Sequence, residues 1–121
     1  MLRIMVGGQI DKAEIAALVE KYGNGQVSIE VKGDLDAAMA MQAGQADYYI
    51  GACNTGGGGA LAMALALLGH DKCVTLSMPS SMMSEEEIRE QVRSGKIAFG
   101  FTAQDKEKIV PIVMDELLKL K

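Results

Sequence analysis

Cys53, Asn54 and Thr55 stand directly before four consecutive glycines, Gly56 to Gly59. The residues that follow, Ala60 to Leu68, read as a helix. A helix start presents free backbone N–H groups and a partial positive charge. Glycines let those amides approach an anion closely. A phosphate, a carboxylate or a developing enolate oxygen suits such a nest, and Gly56, Gly57, Gly58 and Gly59 are its candidate donors. A helix N-terminus also lowers a thiol pKa, so Cys53 is a candidate base or nucleophile. The bland alternative is a small buried apolar residue, the commoner fate of a free Cys. Asn54 and Thr55 either orient a ligand or cap the helix. A second pair, Gly7-Gly8, is followed by Gln9 and then by Asp11. Gly7, Gly8 and Gln9 are candidate ligand contacts. Acid-base chemistry needs two partners, and Asp11 is the nearest candidate for the second.

Other motifs are excluded by spacing. No Lys follows the glycine run, so it is not a P-loop, and Val6-Gly-Gly-Gln-Ile-Asp11 is not G-x-G-x-x-G. No cofactor is expected. There is one His, and Cys53 and Cys73 are far apart, so no metal-ligand spacing exists. His70 falls past the end of the apolar helix, ~17 Å from its start, where it complements the helix dipole. Ser77 and Ser80 follow a predicted strand and are candidate ligand hydroxyls.

These groups must be carried by the elements around them. Short β-rich runs alternate with helical periods. Strands are expected at Leu2 to Val6, Val27 to Val31, Asp47 to Ile50, Cys73 to Leu76 and Ile97 to Phe101. Helices are expected from Ile10 to Tyr22, after Asp34 as a cap, and over Ala60 to Leu68. Another follows Ser84, which forms a capping box with Glu87, and a last one lies within Thr102 to Leu120. Ser77 to Met83 reads as a loop, and Pro111 makes the last helix start late or bend. Five β-α units in one chain of 121 residues imply a single domain, residues 1–121. The expected fold is α/β, a three-layer sandwich with a five-stranded parallel sheet, Rossmann-like or flavodoxin-like, in strand order 2-1-3-4-5. Ligands in such sheets bind beyond the carboxyl ends of the strands, where the winding reverses. For this order the crevice lies between strands one and three, where both glycine clusters fall.

Composition limits the partners. Net charge is −4, Trp is absent and aromatics are 4%, so nucleic acid is not an expected partner. The longest apolar run, Ala60 to Leu68, is well short of the ~18 residues of a membrane span, and the short, Arg-broken apolar run at the N-terminus is not expected to act as a signal peptide. A cytoplasmic protein that is not membrane-embedded is expected. The helix over 60–68 is apolar on all sides; it is buried all round or packs in a homo-oligomer.

Two resemblances add to this. Asp47-Tyr-Tyr-Ile-Gly-Ala-Cys-Asn-Thr-Gly-Gly-Gly-Gly-Ala60, with Gly33-Asp-Leu-Asp-Ala-Ala-Met39 before it and Gly95-Lys-Ile-Ala-Phe-Gly100 after it, resembles the YhfU family of small bacterial proteins. That family has no established activity, and its gene neighbourhood hints at small-metabolite handling. Locally, Ile50-Gly-Ala-Cys-Asn-Thr-Gly-Gly-Gly-Gly59 is similar to the Cys-Gly-Thr-Gly-x-Gly loop of B-type ribose-phosphate isomerases. That resemblance implies Cys53 as the base that moves a proton between sugar carbons. Thr55, Gly56, Gly57 and Gly59 would form the anion nest. The match is partial: Gly8-Gln9 stands where that family has Asp-His, and its downstream His and Arg have no counterpart. The leading expectation is binding of a small anionic or phosphorylated metabolite. The alternatives are an isomerase-like proton-transfer enzyme using Cys53, and an accessory subunit of a transport or metabolic complex.

Overall fold

The computed structural model describes residues 1–53 and 61–120. Five parallel strands form the central sheet: β1 (Leu2–Gly8), β2 (Val27–Val31), β3 (Tyr48–Cys53), β4 (Cys73–Thr75) and β7 (Ala98–Thr102). A small antiparallel hairpin, β5 (Ser77–Met78) and β6 (Ser81–Met82), follows β4. The helices are α1 (Lys12–Gly23), α2 (Asp34–Gln42), α3 (Ala62–Leu68), α4 (Glu85–Arg93) and α5 (Lys106–Leu120).

The three-layer α/β architecture is as expected, but the last two strands exchange places. The order is β2-β1-β3-β7-β4, so the fifth strand of the chain lies inside the fourth. The physical reason is burial. Every residue of β7, Ala-Phe-Gly-Phe-Thr, is buried, while β4 has three residues, two of them only half-buried. A continuous apolar strand belongs in the interior of a parallel sheet, and a short strand belongs at the edge.

This order also fixes where the helices lie. A right-handed crossover puts helices that step one way along the sheet on one face and those that step back on the other. The links β1 to β2 and β4 to β7 step in one direction, so α1 and α4 share a face. Ile15, Val19, Ile88 and Val92 pack there with Ile109, Val113 and Leu117 of α5, against Ile4, Val6, Ile50, Phe99 and Phe101 of the sheet. The links β2 to β3 and β3 to β4 step the other way, and α2 and α3 cover Met5, Tyr49 and Ala98. Alternation along each strand separates the two sets.

Several local expectations are refined. Gly33, not Asp34, is the N-cap of α2; Asp34 is its first residue. The Ser84–Glu87 capping box forms with both hydrogen bonds. The segment expected as a loop at Ser77 to Met83 contains the β5–β6 hairpin. α5 starts late, at Lys106, after a 3-10 turn, and runs through Pro111. Pro111 stands inside α5, past its first turn, and leaves the carbonyl of Glu107 without its helical donor. α3 is not buried all round: Ala62 and Ala66 are exposed, and Met63, Leu65, Leu67 and Leu68 are half-buried. No helix among the described residues is long and apolar enough to cross a membrane.

Candidate functional site

The exchange of the last two strands leaves the reversal of winding where it was expected, between β1 and β3. Their carboxyl ends run side by side, with Gly7 opposite Gly51 and Gly8 opposite Ala52. Beyond the ladder the chain stays attached, because the Gln9 amide donates to the Ala52 carbonyl at 2.8 Å. Cys53 is the next residue of β3, and it is fully buried. Gly8, Gln9 and Cys53 are thus brought together at one edge of the sheet. Asn54, Thr55 and Gly56 to Gly59 lie outside the described residues.

Each glycine at this edge answers a local demand. Gly8 has φ +81, and a Cβ there would stand 2.6 Å from the Ala52 amide nitrogen. Only glycine meets both conditions. Gly7 is small because Tyr49 lies over it: a Cβ would stand 2.7 Å from Tyr49 Cε2 and 2.8 Å from the Ala37 Cβ. Gly51 faces the same ring, with Tyr49 Cε1 3.0 Å from where its Cβ would be. The buried Tyr49 phenol accepts from the Gly8 amide and donates to the Asp34 carboxylate, each at 2.9 Å. Burial, then the Asp34 carboxylate, push the Tyr49 hydroxyl well above its ordinary pKa. It therefore remains a donor to Asp34. Asp34 in turn sits in the first turn of α2, where the dipole favours its charge.

Two lysines, one of them paired with a carboxylate, stand on the other side of the edge. Lys12 Nζ donates to the Gly8 carbonyl at 3.3 Å. Lys106 Nζ, at the start of α5, lies 3.3 Å from Asp11 Oδ2. Asp11 has φ 56 and precedes α1 without capping it through its side chain. Its carboxylate is engaged with Lys106.

Towards β4, Cys53 is opposite Thr102, the last residue of β7. The Thr102 amide donates to Ser77 Oγ at 2.9 Å, and both residues are buried. Ser77 therefore reaches this edge. Ser80 is exposed in the turn of the β5–β6 hairpin. His70 is exposed in a short turn before β4, at the amino end of the sheet. Cys73 is at that amino end too, and burial pushes its thiol pKa up. Cys53 and Cys73 are both thiols.

Sequence reasoning missed Tyr49, Asp34, Lys12, Lys106 and Thr102. One signal was available for Tyr49. Tyr49 and Gly51 are two apart on a strand, so they share a face, and a glycine there makes room for a ring. The apolar run that marks this strand stops at Phe101, one residue short of Thr102. Lys106 reaches the edge only through tertiary packing, whereas Lys12 follows Gly8 by four residues and its contact there is local.

The whole chain resembles known proteins. A family model described as a protein of unknown function, DUF2620, matches residues 2–117. The uncharacterized protein YhfU of Escherichia coli K12 is 36% identical over 117 residues, 97% of this chain and 99% of the relative. YhfU of Shigella flexneri matches to the same extent. Among solved structures, ribose 5-phosphate isomerase RpiB from Thermotoga maritima superposes with a TM-score of 0.68 at 15% identity, over 97% of this chain and 86% of that one. RpiB from Giardia lamblia superposes with a TM-score of 0.69 at 13% identity, over 97% and 94%. At this identity the likeness to the isomerases is one of fold. The match along nearly its full length makes the chain a member of the DUF2620 family, alongside the YhfU proteins.

Proposed function

We propose that this protein binds a small phosphorylated metabolite at the carboxyl edge between β1 and β3. The observation that carries the reading is the convergence of Gly8, Gln9 and Cys53 at the point where the winding of the sheet reverses. Open α/β sheets take ligands at such points. Lys12 adds a positive charge beside it, and in the sequence Gly56 to Gly59 follow Cys53 after only Asn54 and Thr55 and would supply backbone amides. The shared fold with two ribose 5-phosphate isomerases makes a sugar phosphate the first ligand to try. The test is isothermal titration with ribose 5-phosphate, inorganic phosphate and uncharged ribose. Ribose 5-phosphate is expected to bind, ribose is not, and Lys12→Gln is expected to weaken binding roughly tenfold, the worth of one charge-assisted hydrogen bond. Binding of none of the phosphorylated probes would overturn the proposal.

A second reading goes further and makes the site catalytic. It is favoured by the position of Cys53, the last residue of β3 at this same edge. As a thiolate, Cys53 would take the proton from C2 of an open-chain aldose phosphate. The electron pair would pass to an enediolate, and the proton would return to C1. A second group must move a proton between O2 and O1, and Asp11 is the candidate. Deuterium from solvent should then enter ribose 5-phosphate, and Cys53→Ala should stop it. Exchange that continues unchanged in the variant would remove Cys53 from the reaction.

A further inference from the structure

Thr102 Oγ1 is buried and has no hydrogen-bond partner among the described residues, while Thr102 as a residue is only 3% exposed. Buried hydroxyls are almost always paired, and an unpaired one costs free energy. The main chain of the same residue is satisfied, since its amide donates to Ser77 Oγ. The residue is not simply misplaced at a frayed end: it closes the ladder between β3 and β7 as the register partner of Cys53. Register partners in adjacent strands project to the same face of the sheet. The Thr102 hydroxyl and the Cys53 thiol are therefore neighbours at the carboxyl edge, on the face covered by α2 and α3.

We propose that Thr102 is a ligand-binding residue, whose hydroxyl pairs with a hydroxyl or carbonyl oxygen on the carbon chain of the metabolite. The inference rests on the reading of the β1–β3 edge as the anion site and extends it to the length of the ligand. β1 and β7 flank β3 on opposite sides. Strands in a sheet are ~4.8 Å apart, so an anion held near Gly8 and Lys12 lies ~10 Å from Thr102. Inorganic phosphate cannot span that gap, and a three-carbon phosphate falls short of it. A five- or six-carbon sugar phosphate reaches across and lays its carbon chain over Cys53.

The experiment compares wild type, Thr102→Val and Thr102→Ser. Melting is followed without ligand, and titrations use inorganic phosphate, glycerol 3-phosphate and ribose 5-phosphate. Valine has the shape of threonine without the hydroxyl, so Thr102→Val should melt at or above wild type. It should bind ribose 5-phosphate about tenfold more weakly, the worth of one lost hydrogen bond. It should bind glycerol 3-phosphate and inorganic phosphate as wild type does, and Thr102→Ser should restore ribose 5-phosphate binding. A melting point clearly below wild type would mean that the hydroxyl has a structural partner, such as a buried water, and would overturn the proposal. An unchanged affinity for ribose 5-phosphate, or an equal loss for all three probes, would overturn it too. If wild type itself binds no probe, the anion site falls and Thr102 falls with it. If wild type binds and Thr102→Val binds equally, only the role of Thr102 is lost.

Discussion

The Tyr49 ring lies over Gly7, so close that a Cβ on Gly7 would stand 2.7 Å from Tyr49 Cε2. The same side chain holds the Gly8 amide at 2.9 Å and reaches Asp34 at the start of α2. One buried tyrosine thus ties the end of β1 to β3 and to the helix above them. Gly7→Ala should destabilise the fold by about 1–3 kcal/mol through overpacking. Tyr49→Phe should cost about 1–3 kcal/mol, because it leaves the Gly8 amide without its partner. Denaturant melts of the two variants and of the double variant check this. Gly7→Ala pushes the ring aside and already breaks the hydroxyl's bond to the Gly8 amide, so the double variant should cost less than the two single costs combined.

Gly8 should be the least replaceable glycine in this part of the chain. Gly8→Ala meets both a positive φ and the Ala52 backbone at 2.6 Å. Gly44 has φ +77 with open space around it, so Gly44→Ala should cost only about 1 kcal/mol. Gly8→Ala is expected to cost clearly more than that. Equal melting points for the two variants would show that the Gly8–Ala52 contact is looser than described.

These positions show how much of the molecule was legible beforehand. The alternation of β and α segments reads off the sequence because apolar period and helix stops are local. Strand order is not local. Ala-Phe-Gly-Phe at 98–101 is apolar enough for the sheet interior, yet nothing short-range says that it slips between β3 and the short β4. The meeting of the β1 and β3 ends was legible where glycine marks a sharp turn at a strand end, as at Gly7-Gly8. The edge was not legible where distant residues converge. Lys106 and Thr102 reach the edge through packing of α5 and β7. The ring over Gly7 could be anticipated only by asking which side chain needs the space.

Acid should unfold the protein partly through the α4–α5 contact. Arg89 bonds Asp115 at 2.7 Å and Glu116 at 2.9 Å, and Arg93 also faces Glu116. Hydrogen bonds from Arg89 hold both carboxyl groups below their ordinary pKa values. A carboxyl with a lowered folded pKa stabilises the fold above its unfolded pKa. That stability is lost as the pH falls through the ordinary carboxylate range, about 4, and below. Melting temperature should therefore drop between pH 6 and pH 3. Glu116→Gln should lower it at pH 6 and flatten the drop. A variant with the wild-type slope would take Glu116 out of the acid response.

The outer face of α2 and α3 should pair with a second copy of the chain. Leu35 and Met39 of α2 are 50% and 51% exposed, and the neighbouring α3 carries no charged or polar side chain. Asp36 is exposed between Leu35 and Met39 in the chain, and the apolar side chains of the two helices meet their own copies across a two-fold axis. Light scattering at micromolar concentration is expected to give a dimer, and Leu35→Glu with Met39→Glu a monomer. A monomeric wild type would contradict this.

The most direct test of the β1–β3 edge as a ligand site is a crystal structure determined with ribose 5-phosphate. The ligand is expected with its phosphate near Gly8, Gln9 and Lys12, its carbon chain over Cys53, and an oxygen within hydrogen-bond distance of Thr102. A sugar phosphate bound elsewhere, or an empty edge at saturating concentration, would contradict the central claim.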